Sequence, residues 1–306
     1  MKKGYAYILK IFNYIINRYI FSILIVTAIL LSFIYYKLSL IDRSNNLLSQ
    51  LENGLATARY LFEEQKRYAL SLSLLLSQDK EIQESFIKKE RQESFKIVNK
   101  KIDLLKKLQN SEMDVQIHNK NLSTYIRSWD FSKKDIPLET FRKGLVKVKK
   151  QMKPLVSIEL GKRLNIKAIS PLIQNNQFIG SLEVIIGFDY LEKELKQKGF
   201  DTFILLKNKF LNIADTLKTN PSFKGFTLVN NQNQNIDSLE YFNLKELKDY
   251  GYFTSQHKAF SYFSIYSLDR EKLGYIIISL ANKDNILIKY SYEKRRTEEN
   301  SGIIIE

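Results

Sequence analysis

KPLVSIELGKRLNIKAISPLIQNNQFIGSLEVIIGF, residues 153–188, is the stretch on which the fold turns. Its segments 153–160, 165–173 and 177–188 place Ile, Leu, Val and Phe at a two-residue period, the period of side chains on a strand. Asn175-Asn176 lies between the last two segments as a turn signal and predicts a hairpin. Upstream, MDVQIHN (113–119) and STYIRSW (123–129) repeat the strand period, and residues 138–151 read as a helix leading into the quoted stretch. Downstream, a helix over 190–197 stops before Gly199, and DTFILLK (201–207), FLNIAD (210–215), AFSYFSIYSL (259–268) and LGYIIISLAN (273–282) read as a second block of strands. NNQNQN at 230–235 reads as a surface loop. The expected class is α+β, two antiparallel-sheet modules in series with helices packed on them.

Ahead of the sheets the period is helical. Leu48, Leu51, Leu55, Ala58 and Phe62 recur at alternating three- and four-residue steps, the seam of a long amphipathic helix. The seam either pairs with a copy of itself, making a homodimer, or packs on its own domain, since both use that spacing. Asp79 is placed to cap a second helix that carries Glu81 in its first turn and runs through Ile82, Phe86, Val98, Ile102 and Leu105 towards Gln109.

Farther upstream, YIFSILIVTAILLSFIYY (19–36) holds no charge and would reach about 27 Å as a helix, close to the roughly 30 Å of hydrocarbon in a bilayer. Tyr19, Tyr35 and Tyr36 stand at its ends, at headgroup depth. Lys2, Lys3, Lys10 and Arg18 precede it without an acid, so the positive-inside rule keeps the N-terminus in the cytoplasm and puts everything after Leu38 in a periplasm or its equivalent. The expected protein is single-pass in the cytoplasmic (inner) membrane. Its expected segments are a cytoplasmic N-terminus (1–18), a transmembrane helix (19–38), a helical stalk (39–111), a membrane-distal module (112–198), a membrane-proximal module (199–282), and a C-terminal helix and tail (283–306).

Composition narrows the chemistry. With 306 residues and 44% hydrophobic content the chain can build real cores, and a net charge of +15 favours anionic partners. The basic residues are spread among Ile, Asn and Leu with no nucleic-acid-reading motif, so no nucleic acid is expected as a partner. Cysteine is absent and there are two histidines, His118 and His257, so thiolate and histidine-rich metal sites cannot be built. No phosphate-binding loop, nucleophile elbow or H-E-x-x-H stands in the sequence; no enzyme, catalytic residue, metal or cofactor is expected.

Between residues 115 and 189 a set of spaced motifs carries a resemblance. H-x4-S-x3-R-S-W (His118, Ser123, Arg127, Trp129) is followed by Phe141-Arg142, K-P-L-V-S-I-E-L-G (153–161), I-S-P (169–171), I-G-S-L-E-V (179–184) and G-F-D (187–189). In this order they resemble the Cache family of extracytoplasmic sensor domains, in the double form found on chemoreceptors, sensor histidine kinases and diguanylate cyclases. The resemblance implies two PAS-like modules and a small-molecule ligand in the distal one. It departs from the family at 133–137, where Lys-Lys-Asp-Ile-Pro replaces a Gly-Asp-Asp stretch. Residues 281–292 resemble the helix that in this family leads to a second span and an output domain; the expected protein is an input domain without its own output, working with a separate signalling protein. The alternatives are the input of a sensor kinase or diguanylate cyclase, or an anchored scaffold for another envelope protein.

A sensor pocket needs a few oriented polar groups in a concave site. Arg127 and Arg142 are candidates because a guanidinium fork meets a carboxylate in two bonds, so the expected ligand is anionic or zwitterionic. Trp129 and Tyr125 are candidate walls, and His118 and Glu159 a candidate donor and acceptor. In the other reading Glu159 and Glu183 neutralise the arginines in a structural ion-pair network. Gly161, Gly180 and Gly187 read as turn or close-packing positions.

Overall fold

The computed structural model describes residues 2–109, 112–230, 236, 239, 244, 247–255, 257–292 and 302–304. It divides into two compact units, Met1–Gln50 and Leu51–Glu306. Helix α1 (Lys2–Ser77) begins in the first and ends in the second. In the first unit it supplies, among the described residues, one helix long and apolar enough to cross a membrane; its best 18-residue window has a mean hydropathy of 2.2 and no buried residue. Ser22 and Thr27 return their hydroxyls to Arg18 O (2.9 Å) and Ile23 O (3.0 Å), so these two polar groups are satisfied within the helix.

In the second unit α1 is followed by α2 (Lys80–Ile87) and α3 (Arg91–Gln109). Asp79 caps α2, accepting from Ile82 N at 3.1 Å. The helix expected to run unbroken to Gln109 turns instead at Lys89, whose φ is 59°. Residues 88–94 (KKERQES) offer no apolar side chain to hold a straight helix on the core, whereas the turn lets Ser94 Oγ donate to Ser85 Oγ at 2.9 Å.

The first sheet contains β1 (Met113–Asn119), β2 (Thr124–Arg127), β3 (Leu155–Leu160), β4 (Leu164–Gln174) and β5 (Gln177–Ile186), with α4 (Lys143–Gln151) between β2 and β3 and α5 (Asp189–Gln197) after β5. Asn175 and Asn176 turn β4 into β5 with φ of 51° and 59°, the positive pair that a two-residue hairpin demands. The second sheet contains β6 (Asp201–Lys207), β7 (Ser222–Phe223), β8 (Phe226–Leu228), β9 (Tyr250–Thr254), β10 (Lys258–Tyr266), β11 (Lys272–Ala281) and β12 (Lys289–Tyr292). A last strand, β13 (Gly302–Ile304), returns to pair with β3. Pairing is antiparallel, in the orders β13-β3-β4-β5-β1-β2 and β12-β9-β10-β11-β6-β8-β7. The architecture is α+β with two such sheets in series, as the strand periods predict.

Two expectations need correction, and one open choice is decided. FLNIAD is not a strand: Phe210, Ala214 and Leu217 are buried and Ile213 is exposed, a three- to four-residue spacing that two 3-10 turns (Asn208–Phe210 and Asp215–Leu217) satisfy. Residues 281–292 are not a helix, because 289–292 pair with β9 and Tyr292 stacks on Tyr250 with centroids 5.2 Å apart. The Leu48–Phe62 seam is occupied within its own chain: Leu51, Leu55, Ala58 and Phe62 are buried, and the Phe62 ring lies 6.4 Å from Phe188 and 5.7 Å from Phe263. NNQNQN lies almost wholly outside the described residues.

The two faces of the first sheet are chemically opposite. Val115, Ile117, Ile126, Leu182, Val184, Ala168, Ile166, Val156 and Ile158 share one face through the strand register, and all are buried. Ser170 on that face bonds Ser73 of α1 at 2.8 Å. The other face carries Asp114, Gln116, Arg127, Glu183, Ile185, Lys167 and Glu159. So many charges on a sheet face packed under a helix point to a site.

Candidate ligand-binding site

Helix α4 covers the end of the charged face nearest the β4–β5 turn. Leu145 and Val148 of α4 pack with Leu122, Leu138, Leu155, Ile169 and Phe178 into a small core. Arg142, the residue before α4, reaches down to the sheet: its Nε donates to Glu159 Oε2 at 3.1 Å and its Nη2 to Glu183 Oε1. Ser157 Oγ donates to Glu159 Oε1 at 2.9 Å. Gly144 lets this happen, since a Cβ there would collide with Glu159 Oε1.

All three members of the cluster are buried, and the cluster settles its own ionisation. Burial alone would push Glu183 up, but Arg142, with His118 and Lys167 beside it, outweighs burial and holds the carboxyl well below the usual carboxylate range. Burial alone would push Arg142 down, and Glu183 and Glu159 more than reverse that. His118 is fully buried, with Nδ1 3.0 Å from Ser181 Oγ and Nε2 3.5 Å from Glu183 Oε2. Its burial pushes its pKa down, which keeps the ring neutral at pH 7.

Beyond this cluster the same face opens into a cavity of about 700 Å³. Gln116, Arg127, Arg142 and Lys167 reach it from the sheet and from the start of α4; Trp129, Leu138, Phe141 and Ile185 give it apolar wall; Lys133, Lys162 and Arg163 come from loops. Thr216 of the second module also borders it, and its hydroxyl donates to Lys162 O. Arg127 lies 5.7 Å from the Trp129 ring, its Nε buried and without a hydrogen bond among the described residues. Lys167 Nζ donates to Leu160 O at 3.2 Å, and burial, followed by the charge of Arg142, pulls its pKa down to about 8.

The six residues expected at a ligand site are therefore placed differently. Arg127, Trp129 and Arg142 line the cavity, Arg142 with its fork already engaged by Glu159 and Glu183. Glu159 and His118 do not line it; they belong to the ion-pair cluster behind it. Tyr125 does not line it either. Gln116 pairs with Arg127, Ile117 with Ile126, and His118 with Thr124, so Tyr125 is the extra residue of a bulge. It packs edge-on against Phe86, centroids 4.9 Å apart. Sequence reasoning missed Lys167, Asp114 and Gln116. A lysine third in NIKAISPLI, between Ile166 and Ala168 in a stretch of strand period, was the available signal for the first.

Two antiparallel modules on one long helix, the first holding a solute-sized cavity over a charged sheet face, define a double sensory domain. The family model described as "Double sensory domain of two-component sensor kinase" (dCache_3) matches residues 44–284. The chain belongs to this double Cache family of extracytoplasmic sensory domains. Among solved structures it is similar to the extracellular domain of a protein assigned as the histidine kinase vpHK1S-Z8, at 16% identity over 80% of this chain and 94% of that one, with a TM-score of 0.51. It is also similar to a domain of a Vibrio parahaemolyticus protein assigned to the sensory box/GGDEF family, at 14% identity over 79% and 99%, TM-score 0.52. The ligand-binding domain of the Campylobacter jejuni chemoreceptor Tlp3, solved with L-valine, aligns at 14% identity over 78% and 92%, TM-score 0.43. Comparison with curated protein sequences gives no match.

Proposed function

We propose that the chain is a membrane-anchored, single-pass, non-catalytic and cofactor-free sensor of a small anionic or zwitterionic organic solute, which binds in the first sheet module. The observation that carries this is the cavity: about 700 Å³ lies within the roughly 300–1,000 Å³ of small-molecule sites, and polar groups from three strands and from the start of α4 converge on apolar wall. In this reading residues 19–36 cross the inner membrane with the N-terminus inside, and both sheets stand in the periplasm. Helix α1 meets the second sheet at Leu51, whose carbonyl accepts from Ser261 Oγ at 2.8 Å, and the first at Ser73, about 33 Å further along. That spacing supports the first module as the distal one. Ligand acts only through differential affinity for two arrangements of α1, and a hundredfold preference supplies at most about 2.7 kcal/mol.

The test is a thermal-shift screen of the full chain in nanodiscs against amino acids, carboxylates, amines and purines. A stabilising solute whose effect disappears in Arg127→Ala and Trp129→Ala supports the reading. Stabilisation by no class of solute, or stabilisation unchanged in both variants, contradicts it.

A further inference from the structure

The cavity's charges discriminate between the two ligand classes left open above. A zwitterion brings an ammonium group, which needs a carboxylate within the site. Among the described residues Asp114 is the one carboxylate that lines the cavity, against Arg127, Lys133, Arg142, Lys162, Arg163 and Lys167. Glu159 and Glu183 occupy the same sheet face, but both are engaged by Arg142. Burial, with the charge of Glu112, raises the pKa of Asp114 above the usual carboxylate value against the pull of Lys106, the Ser128 hydroxyl and Arg163, which makes it a weak partner for an ammonium.

Two of the cations are, by contrast, short of partners. Lys167 is buried, donates one hydrogen bond, to Leu160 O, and makes no ion pair among the described residues; an ammonium has three N–H groups to place. Arg127 keeps its buried Nε without an acceptor. The two side chains rise from β4 and β2, three strand spacings or about 14 Å apart across the sheet, and both line the cavity. The apolar side chains of Ile185 and Trp129 also line it.

We infer that the cavity takes a small dianion, a short apolar skeleton with an acid group at each end, one end on Lys167 and the other on Arg127, and that it discriminates against the zwitterion of equal length. The inference rests on the cavity being the ligand site. A buried cation without its own carboxylate is a standing cost to the fold, and a guest acid group removes it. Monocarboxylic amino acids bring only one acid group, and every amino acid, aspartate included, leaves its ammonium facing cations.

Calorimetric titration of the full chain in nanodiscs at pH 7 tests this with malonate, succinate, glutarate and adipate against β-alanine, 4-aminobutyrate, butyrate and aspartate. The expected result is at least a tenfold tighter dissociation constant for one of the dicarboxylates than for every zwitterion and for butyrate, with most of the preference lost in Lys167→Met. The wild-type comparison decides the matter even if that variant folds poorly. Zwitterions or butyrate binding as tightly as every dicarboxylate overturns the inference and leaves the cavity as the ligand site. So does a dicarboxylate preference that a folded Lys167→Met retains. Binding of none of these, with an Arg127-dependent solute found elsewhere in the wider screen, likewise overturns the inference alone; binding of no solute at all overturns the reading on which it rests.

Discussion

Arg142 joins Glu183: the residue that opens α4 gives its Nη2 to a carboxylate fully buried in the middle of β5, and so ties the helix to the sheet beneath it. The pair is structural before it is functional. Removing the cation leaves two buried carboxylates, Glu159 and Glu183, facing neither water nor an arginine. Arg142→Ala should therefore cost about 3–5 kcal/mol in denaturant unfolding. A loss under about 1 kcal/mol would show that the cluster is open to solvent. Any loss of ligand binding in that variant has to be read through its folding, which is why Arg127 is the better probe of contact.

Lys167 should leave a signature on the alkaline side. Burial first, then Arg142 and Arg127, lower its pKa to about 8, while Glu183 and Glu159 pull the other way. An unfolded lysine titrates near 10.4, so between about 8 and 10.4 the unfolded chain holds a proton that the folded chain has released. Stability from this group accordingly rises with pH across that window. Lys167→Met removes the buried charge and should be the more stable protein at pH 7, with its advantage over wild type shrinking by about 3 kcal/mol as pH approaches 10. A difference that stays constant over that range would mean the amine is solvated.

Gly180 should not accept a side chain. It sits in β5 opposite Asn119, where a Cβ would meet the backbone oxygen of His118 and the Phe86 ring. Gly180→Ala forces either strand β1 or helix α2 to move and should destabilise the domain by about 1–3 kcal/mol in thermal unfolding. Unchanged stability would indicate that β1 and β5 are farther apart than described.

The parts of the fold legible beforehand are those governed by local rules. The alternation of residues 153–188, the Asn175-Asn176 hairpin and the Asp79 cap each need only a few neighbouring residues to be stated. What could not be read depends on partners distant in sequence. Nothing near Tyr125 announces the bulge that turns it to Phe86, and residues 289–292 become a strand because β9 offers them an edge. The site shows the same division. Arg127 and Trp129 were legible because they stand two apart in a stretch of strand period, although β2 itself ends at Arg127. Arg142 was legible as a fork, but the choice between ligand and counter-ion was left open, and its geometry selects Glu159 and Glu183. Lys167 reaches the cavity by the register of β4 on β5, where it stands opposite Ile185.

Trp129 is the chain's one tryptophan, half-exposed on the cavity wall and 5.7 Å from the Arg127 guanidinium, so its emission reports directly on whether a solute enters. Titrating the full chain in nanodiscs with each stabilising solute should give a saturable change in tryptophan fluorescence whose midpoint matches the calorimetric dissociation constant and which weakens at least tenfold in Arg127→Gln. A solute that binds by calorimetry without altering that emission, or one that binds Arg127→Gln as well as wild type, would contradict the placement of the ligand in this cavity.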